Sequence, residues 1–121
     1  MLDLFSGEAP WQEPLAEGAV IIRRRAFDQG EALLHEIARV AQSNPFAHRI
    51  TPGGYRMSVA MTNCGDVGWS SDIRGYQYSE KDSHSNKTWP AMPALFRQLA
   101  QEAAAEAGFP GFNPDSCLIN R

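Results

Sequence analysis

Between Thr51 and Tyr78 the chain reads TPGGYRMSVAMTNCGDVGWSSDIRGYQY, a run of strand-forming residues cut at intervals by glycines. This punctuation allows short paired strands and argues against a helix through the segment. Pro52-Gly53-Gly54 marks a turn. In Tyr55 to Thr62 the odd positions Tyr55, Met57, Val59 and Met61 then fall on one face of a strand, and Arg56, Ser58, Ala60 and Thr62 fall on the other. A hairpin turn is expected at Asn63-Cys64-Gly65-Asp66. Trp69, Tyr76 and Tyr78 follow among glycines and polar residues, where few aliphatic side chains exist to wrap them. Flat rings with polar edges suit the stacking of a nucleobase. The plainer use of such rings is core packing or cross-strand pairing.

The flanking segments read as mixed helix and strand. Residues 1–18 carry Pro10 and Pro14 and are expected to form an extended arm anchored by Leu4, Phe5 and Trp11. Ala19 to Arg24 reads as a strand around Val20-Ile21-Ile22, and the Arg23-Arg24-Arg25 cluster reads as its solvated end ahead of the other reading, a phosphate contact. Asp28 and Glu31 form an acidic variant of a capping box before Leu33, Leu34, Ile37, Val40 and Ala41, which predicts a helix over 29–42 stopped by Ser43-Asn44-Pro45. Glu80 to Asn86 is wholly polar and is expected to be an exposed loop. A second helix is predicted over 93–107, with Leu95, Leu99 and Ala103 on one face and Gly108 at its C-terminal cap. Residues 109–114 form a turn-rich connector, and Ser116 to Asn120 has the composition of a buried strand. That strand is expected to stand at a cut through a sheet, because it ends the sequence one residue later.

Composition narrows the function classes. Fourteen acids against eleven bases give a formal charge of -3, so no global positive field draws the chain to phosphate. Between Phe46 and Ser79 three arginines face two aspartates, and any nucleic-acid contact has to be local. The start lacks a signal-peptide pattern and no run of apolar residues is long enough to span a bilayer, which leads to the expectation of a cytoplasmic protein without membrane contact. Cys64 and Cys117 form no C-x-x-C pair and are read as reduced thiols.

The run TPGGYRMSVAMTNCGDVGW with RGYQYS downstream, the opening MLDLF and PWQEPLAEGAVIIRR, the segment NKTWPAMP and the terminal CLINR together resemble the N-terminal half of the AlkB family of DNA-repair dioxygenases. The resemblance implies an α+β fold: an N-terminal arm, strand and helix (residues 1–45), a nucleotide-recognition lid (46–90), then a helix and the first strand of a double-stranded β-helix, or jelly-roll, core (91–121). It implies oxidative dealkylation of N-alkylated bases, with alkylated single- or double-stranded DNA as partner, RNA as a further candidate, and a monomer when complete. Trp69 and Tyr76 match lid residues that contact the damaged nucleotide, with Gln77 and Tyr78 adjoining and Met57 and Met61 as adaptable apolar neighbours. Leu118 and Asn120 match the strand that meets 2-oxoglutarate. Asn120 is chemically apt, since its amide donates to a carboxylate oxygen, whereas Leu118 serves equally in core packing.

The family holds Fe(II) with two histidines and a carboxylate, the first two ligands arriving as an H-x-D pair. His35, His48 and His84 are followed by Glu36-Ile37, Arg49-Ile50 and Ser85-Asn86, so the pair is absent and no metal ligand is assigned here. No G-x-S-x-G, H-E-x-x-H or phosphate-cradling loop is present either. Two other readings stand beside the dioxygenase: a non-catalytic module that holds single-stranded nucleic acid, and a fragment whose sheet is completed by a partner chain.

Overall fold

The computed structural model describes residues 9–121, so Leu4 and Phe5 of the expected arm lie outside the described residues. Its order is β1 (Trp11–Ala16), β2 (Ala19–Arg23), a 3-10 turn (Phe27–Gln29), α1 (Gly30–Ser43), β3 (Ala47–Ile50), β4 (Arg56–Gly65), β5 (Gly68–Asp72), β6 (Gly75–Ser79), α2 (Ala94–Glu106) and β7 (Ser116–Asn120). Helices and antiparallel strands are thus mixed. The strands form a β1-β2 hairpin, a central sheet in the order β3-β4-β7 and a β5-β6 hairpin.

The arm is not merely extended. Its residues Trp11–Ala16 pair antiparallel with β2, and Pro14 is accommodated beside a register irregularity between Pro14 and Ala16. Trp11 is 53% exposed and does not anchor the arm in a core. The hairpin is held instead through polar groups. Gln12 Nε2 donates to the Glu106 carbonyl at 2.8 Å, and Arg25 reaches Glu102 at 2.6 Å and Glu106 at 2.7 Å. Only part of the arginine cluster is a solvated end: Arg25 ties the hairpin to α2 and Arg24 lies over the Phe27 ring, while the exposed Arg23 pairs with Glu13. At α1 the expected capping box is replaced by the 3-10 turn, because Asp28 falls inside that turn and no side chain caps the helix. Val40 is buried, but Leu34 of the predicted apolar face is exposed.

The central strand β4 is longer than expected and ends differently. The Asn63-Cys64-Gly65 stretch is strand, not turn, and pairs with Leu118, Cys117 and Ser116 of β7. Strand pairing stops at Gly65, whose φ of +120° and close approach to the Asp115 carbonyl leave no room for a Cβ. The clean alternation expected from Tyr55 to Thr62 also fails. His48 pairs with Ala60 but Ile50 with Arg56, so extra residues of β4 bulge out around Met57 to Val59. Beyond the bulge, Ala60 to Cys64 are all buried. Tyr55 is 76% exposed.

The second helix lies within one residue of its expected bounds at each end. Gly108 takes φ +97° just past the helix, and Phe109 N donates back to the Ala104 carbonyl at 2.8 Å. The strand β7, expected to be buried, leaves Leu118 and Asn120 exposed. The polar loop after β6 is not wholly exposed either: Asp82 is buried with Arg49, which donates to both its carboxylate oxygens at 2.9 and 3.1 Å. The Trp89 ring lies 5.8 Å from the same guanidinium.

Candidate functional site

The β5-β6 hairpin turns at Ile73-Arg74, between the paired residues Asp72 and Gly75. Asp72 Oδ1 accepts the Arg74 N–H at 2.8 Å, and the Arg74 guanidinium adds a 2.7 Å bond. The guanidinium first, then the N–H, hold the Asp72 carboxyl below its ordinary range. Gly75 at φ +125° completes the turn.

Across this hairpin Trp69 opposes Tyr78 and Ser71 opposes Tyr76. Side chains on neighbouring rungs alternate faces, so Trp69, Tyr76 and Tyr78 share one face while Ser70 and Gln77 point to the other. Trp69 and Tyr76, diagonal neighbours, stack with ring centroids 5.6 Å apart and planes inclined by 24°. Tyr76 and Tyr78 are 66% and 67% exposed, so this face is an aromatic surface and not a core. Gln77 does not join it. Its amide faces the turn and donates to Asp72 at 3.4 Å, on the other face from the rings, as the two-residue period of the strand requires.

The backbone of β5 is held tightly by its neighbours. Gly68 lies against the indole of Trp89, where a Cβ would collide with the ring, and Trp89 Nε1 donates to the Ser79 carbonyl at 2.9 Å. Ser71 Oγ donates to the Ile50 carbonyl at 2.7 Å. Asn63, fully buried in β4, accepts the Trp69 N–H at 2.9 Å and donates to the Trp69 carbonyl at 2.9 Å. One amide thus makes both bonds that a neighbouring strand would make, and it fixes the backbone from which the Trp69 ring projects. Sequence reasoning missed Asn63, because Asn-Cys-Gly carries turn chemistry and nothing local signals a side chain paired to a later strand.

The central sheet brings further candidates together. The rungs Met61↔Asn120 and Asn63↔Leu118 place these four residues on one face of β4 and β7. Met61 is buried, whereas Met57 is half-buried in the bulge with its carbonyl 3.0 Å from His48 Nδ1. The two methionines therefore do not form one regular stripe. Tyr78 and Leu118 line a common cavity of about 570 Å³ with Val67, Asp115 and Ser116, so the aromatic hairpin and β7 meet there. Asn120 is exposed at the end of β7, where its amide is available to a carboxylate, and Leu118 is 41% exposed. Among the described residues no three His, Cys, Asp or Glu side chains gather as metal ligands.

Comparisons with known proteins give the chain a family. Over its whole length the chain is 59% identical to the Escherichia coli protein named alpha-ketoglutarate-dependent dioxygenase AlkB and 55% identical to its namesake from Salmonella typhimurium, covering 56% of each. A Caulobacter vibrioides AlkB homologue is 39% identical over 89 residues, which are 74% of this chain and 39% of that protein. The chain thus spans little more than half the length of the curated relatives that match it throughout. The resemblance carried by the TPGG, RGYQYS and CLINR segments is thereby upheld. Residues 18–121 match the family model described as 2OG-Fe(II) oxygenase superfamily, and the chain belongs to that family.

Proposed function

We propose that this chain is the substrate-recognition half of an Fe(II)/2-oxoglutarate dioxygenase that removes alkyl groups from the bases of DNA. The observation that carries the reading is the stacked Trp69-Tyr76 pair, joined by Tyr78 on an exposed hairpin face whose strands are anchored by Asn63, Ser71 and Trp89. Rings presented on a fixed backbone without a core to cover them are suited to stacking an extruded base. In this reading residues 46–90 form the recognition lid. The names of the relatives support the chemistry assigned to the complete protein.

The work of these residues is binding and orientation. Trp69 and Tyr76 hold the plane of the base, Tyr78 borders the cavity shared with Leu118, and Met61 stands across the ladder from Asn120. Asn120 donates to a carboxylate oxygen of 2-oxoglutarate, and Leu118 excludes water beside it. When bound, iron with 2-oxoglutarate and oxygen supplies the oxidant for the N-alkyl carbon, its ligands coming from outside the residues described. Residues 1–121 by themselves accordingly bind nucleic acid but consume no 2-oxoglutarate.

Titration of the chain with a single-stranded oligonucleotide bearing one N-methylated base tests the reading through tryptophan fluorescence. Quenching is expected, and Trp69→Ala should weaken binding by about 1–3 kcal/mol. Unchanged affinity in that variant would remove the rings from the site.

A further inference from the structure

Cys64 and Cys117, far apart in sequence, are directly opposed on the antiparallel ladder of β4 and β7. Both are free; Cys64 is fully buried and Cys117 only partly covered. Ala60 and Arg121, on the same ladder, exchange both backbone hydrogen bonds at 3.2 and 2.9 Å. Rungs of an antiparallel pair alternate between bonded and non-bonded kinds, so the cysteine rung, four residues along with no register break, is also a bonded one. Its Cα atoms then stand roughly 5.5 Å apart, within the span of about 4.4–6.8 Å that a disulfide bridges. Directly opposed Cβ atoms sit at about 4.5–5.5 Å, wider than the roughly 3.5–4.5 Å of a relaxed bridge. Closure has to draw the two strands together, and a bridge formed under strain is the readily reduced kind.

We propose that Cys64 and Cys117 form a reversible two-electron oxidation site, closed to an intramolecular disulfide by a hydroperoxide and reopened by a dithiol. The two residues have complementary parts. Cys117 is the one a solute reaches, and a hydrogen bond from Cys64 draws its thiol below the ordinary range, which favours the thiolate. The same hydrogen bond, with burial, pushes the Cys64 thiol up and keeps it protonated. The Cys117 thiolate attacks the peroxide, the O–O bond breaks, and a sulfenic acid forms as the leaving oxygen takes up a proton. Cys64 sulfur then attacks that sulfenic sulfur; the S–S bond forms, the S–O bond breaks, and water leaves with the Cys64 proton. Two thiols and one hydroperoxide give one disulfide, one water and one alcohol, or two waters when the oxidant is hydrogen peroxide. A dithiol returns both cysteines to thiols and is itself oxidised to its disulfide. The covalent rung lies between Asn63↔Leu118 and Gly65↔Ser116, so oxidation stiffens the seam beneath the candidate site.

The test treats the whole chain with hydrogen peroxide in the presence of a metal chelator and reads intact mass and peptide map. The expected result is a monomer lighter by about 2 Da, a peptide joining Cys64 to Cys117, and full reversal by dithiothreitol. Cys64→Ala should stop at the sulfenic acid, about 16 Da heavier and captured by a 1,3-dione. Cys117→Ala leaves the enclosed thiol in place and should be inert to the same dose, which keeps the test independent of whether Cys64→Ala folds. Dimers linked through Cys117, sulfinic or sulfonic Cys117 without a cross-link, or oxidation of Cys64 in Cys117→Ala at the rate of the unaltered chain would each overturn the proposal.

Discussion

Along β4 from Ala60 to Cys64 every side chain is enclosed, and the fully buried ones include the polar Thr62 and Asn63. On the β5-β6 hairpin, the next element in the chain, Tyr76 and Tyr78 are about two-thirds exposed. Polar groups fill the interior here and aromatic rings face out, the reverse of ordinary partitioning. The difference is explained by hydrogen bonding. Asn44 Nδ2 donates to Thr62 Oγ1 at 3.1 Å and that hydroxyl donates to the Asn44 carbonyl at 2.6 Å, while Asn63 is satisfied by Trp69. Buried polar groups with such partners specify how strands and helix meet. The rings have no comparable enclosure, and the function proposed above assigns their exposure to binding.

If that division is right, variants of the interior should cost stability and variants of the rings should cost affinity. The largest effect is expected at Arg49. Its pair with Asp82 is buried on both sides, so Arg49→Ala strands a carboxylate and should lower stability by about 3–5 kcal/mol, read from the urea midpoint. Replacing both residues by apolar ones of similar size should cost far less, because no charge is then left unpaired. The same pair sets a pH dependence. Burial alone would raise the Asp82 carboxyl, but the bonds from Arg49 and from the His84 N–H outweigh it and the net shift is downward. A carboxyl lowered in the folded chain contributes stability in full above its unfolded value, about 3.9, and loses it as pH falls through the folded value. The urea midpoint should therefore drop below about pH 4, and Asp82→Asn should flatten that part of the curve.

Asn63→Ala comes next. Removing the amide leaves the Trp69 N–H and carbonyl without their partner, at a cost of about 1–3 kcal/mol, and should also shift the Trp69 emission because the ring loses its fixed backbone. Tyr76→Ala should do the opposite. Binding of single-stranded DNA should weaken by about 1–3 kcal/mol while the unfolding midpoint moves by no more than about 0.5 kcal/mol. A Tyr76 variant that unfolds the chain without touching affinity would erase the distinction between the two regions.

These two regions were unequally legible in the sequence. The rings are local, so strand period and motif resemblance reach them, and α2 with Gly108 is local in the same way. Asn63 and Asp82 are not. Each owes its burial to a partner on another element, Trp69 for one and Arg49 for the other, and in the linear chain each sits in a segment whose composition reads as turn or loop. The opposed cysteines escaped for the same reason, since β4 and β7 meet only through tertiary pairing. Gln77 adjoins the rings in sequence but takes the other face, because in a strand the next residue faces away.

The smallest expected effect isolates burial as the cause of the largest. Arg23 and Glu13 form an ion pair across the β1-β2 hairpin, chemically the same contact as Arg49 with Asp82, but their side chains are 47% and 39% exposed against 5% for each member of the buried pair. Water already solvates both exposed charges, so removing Arg23 strands nothing. Arg23→Ala should cost about 0.2–1 kcal/mol, and this cost should shrink further in high salt as screening replaces the lost partner. The deficit in Arg49→Ala should persist in the same salt, because ions do not enter the space around Asp82. Equal and equally salt-sensitive losses at the two arginines would mean that enclosure confers nothing on the interior pair, and the polar seam along β4 would then need another explanation.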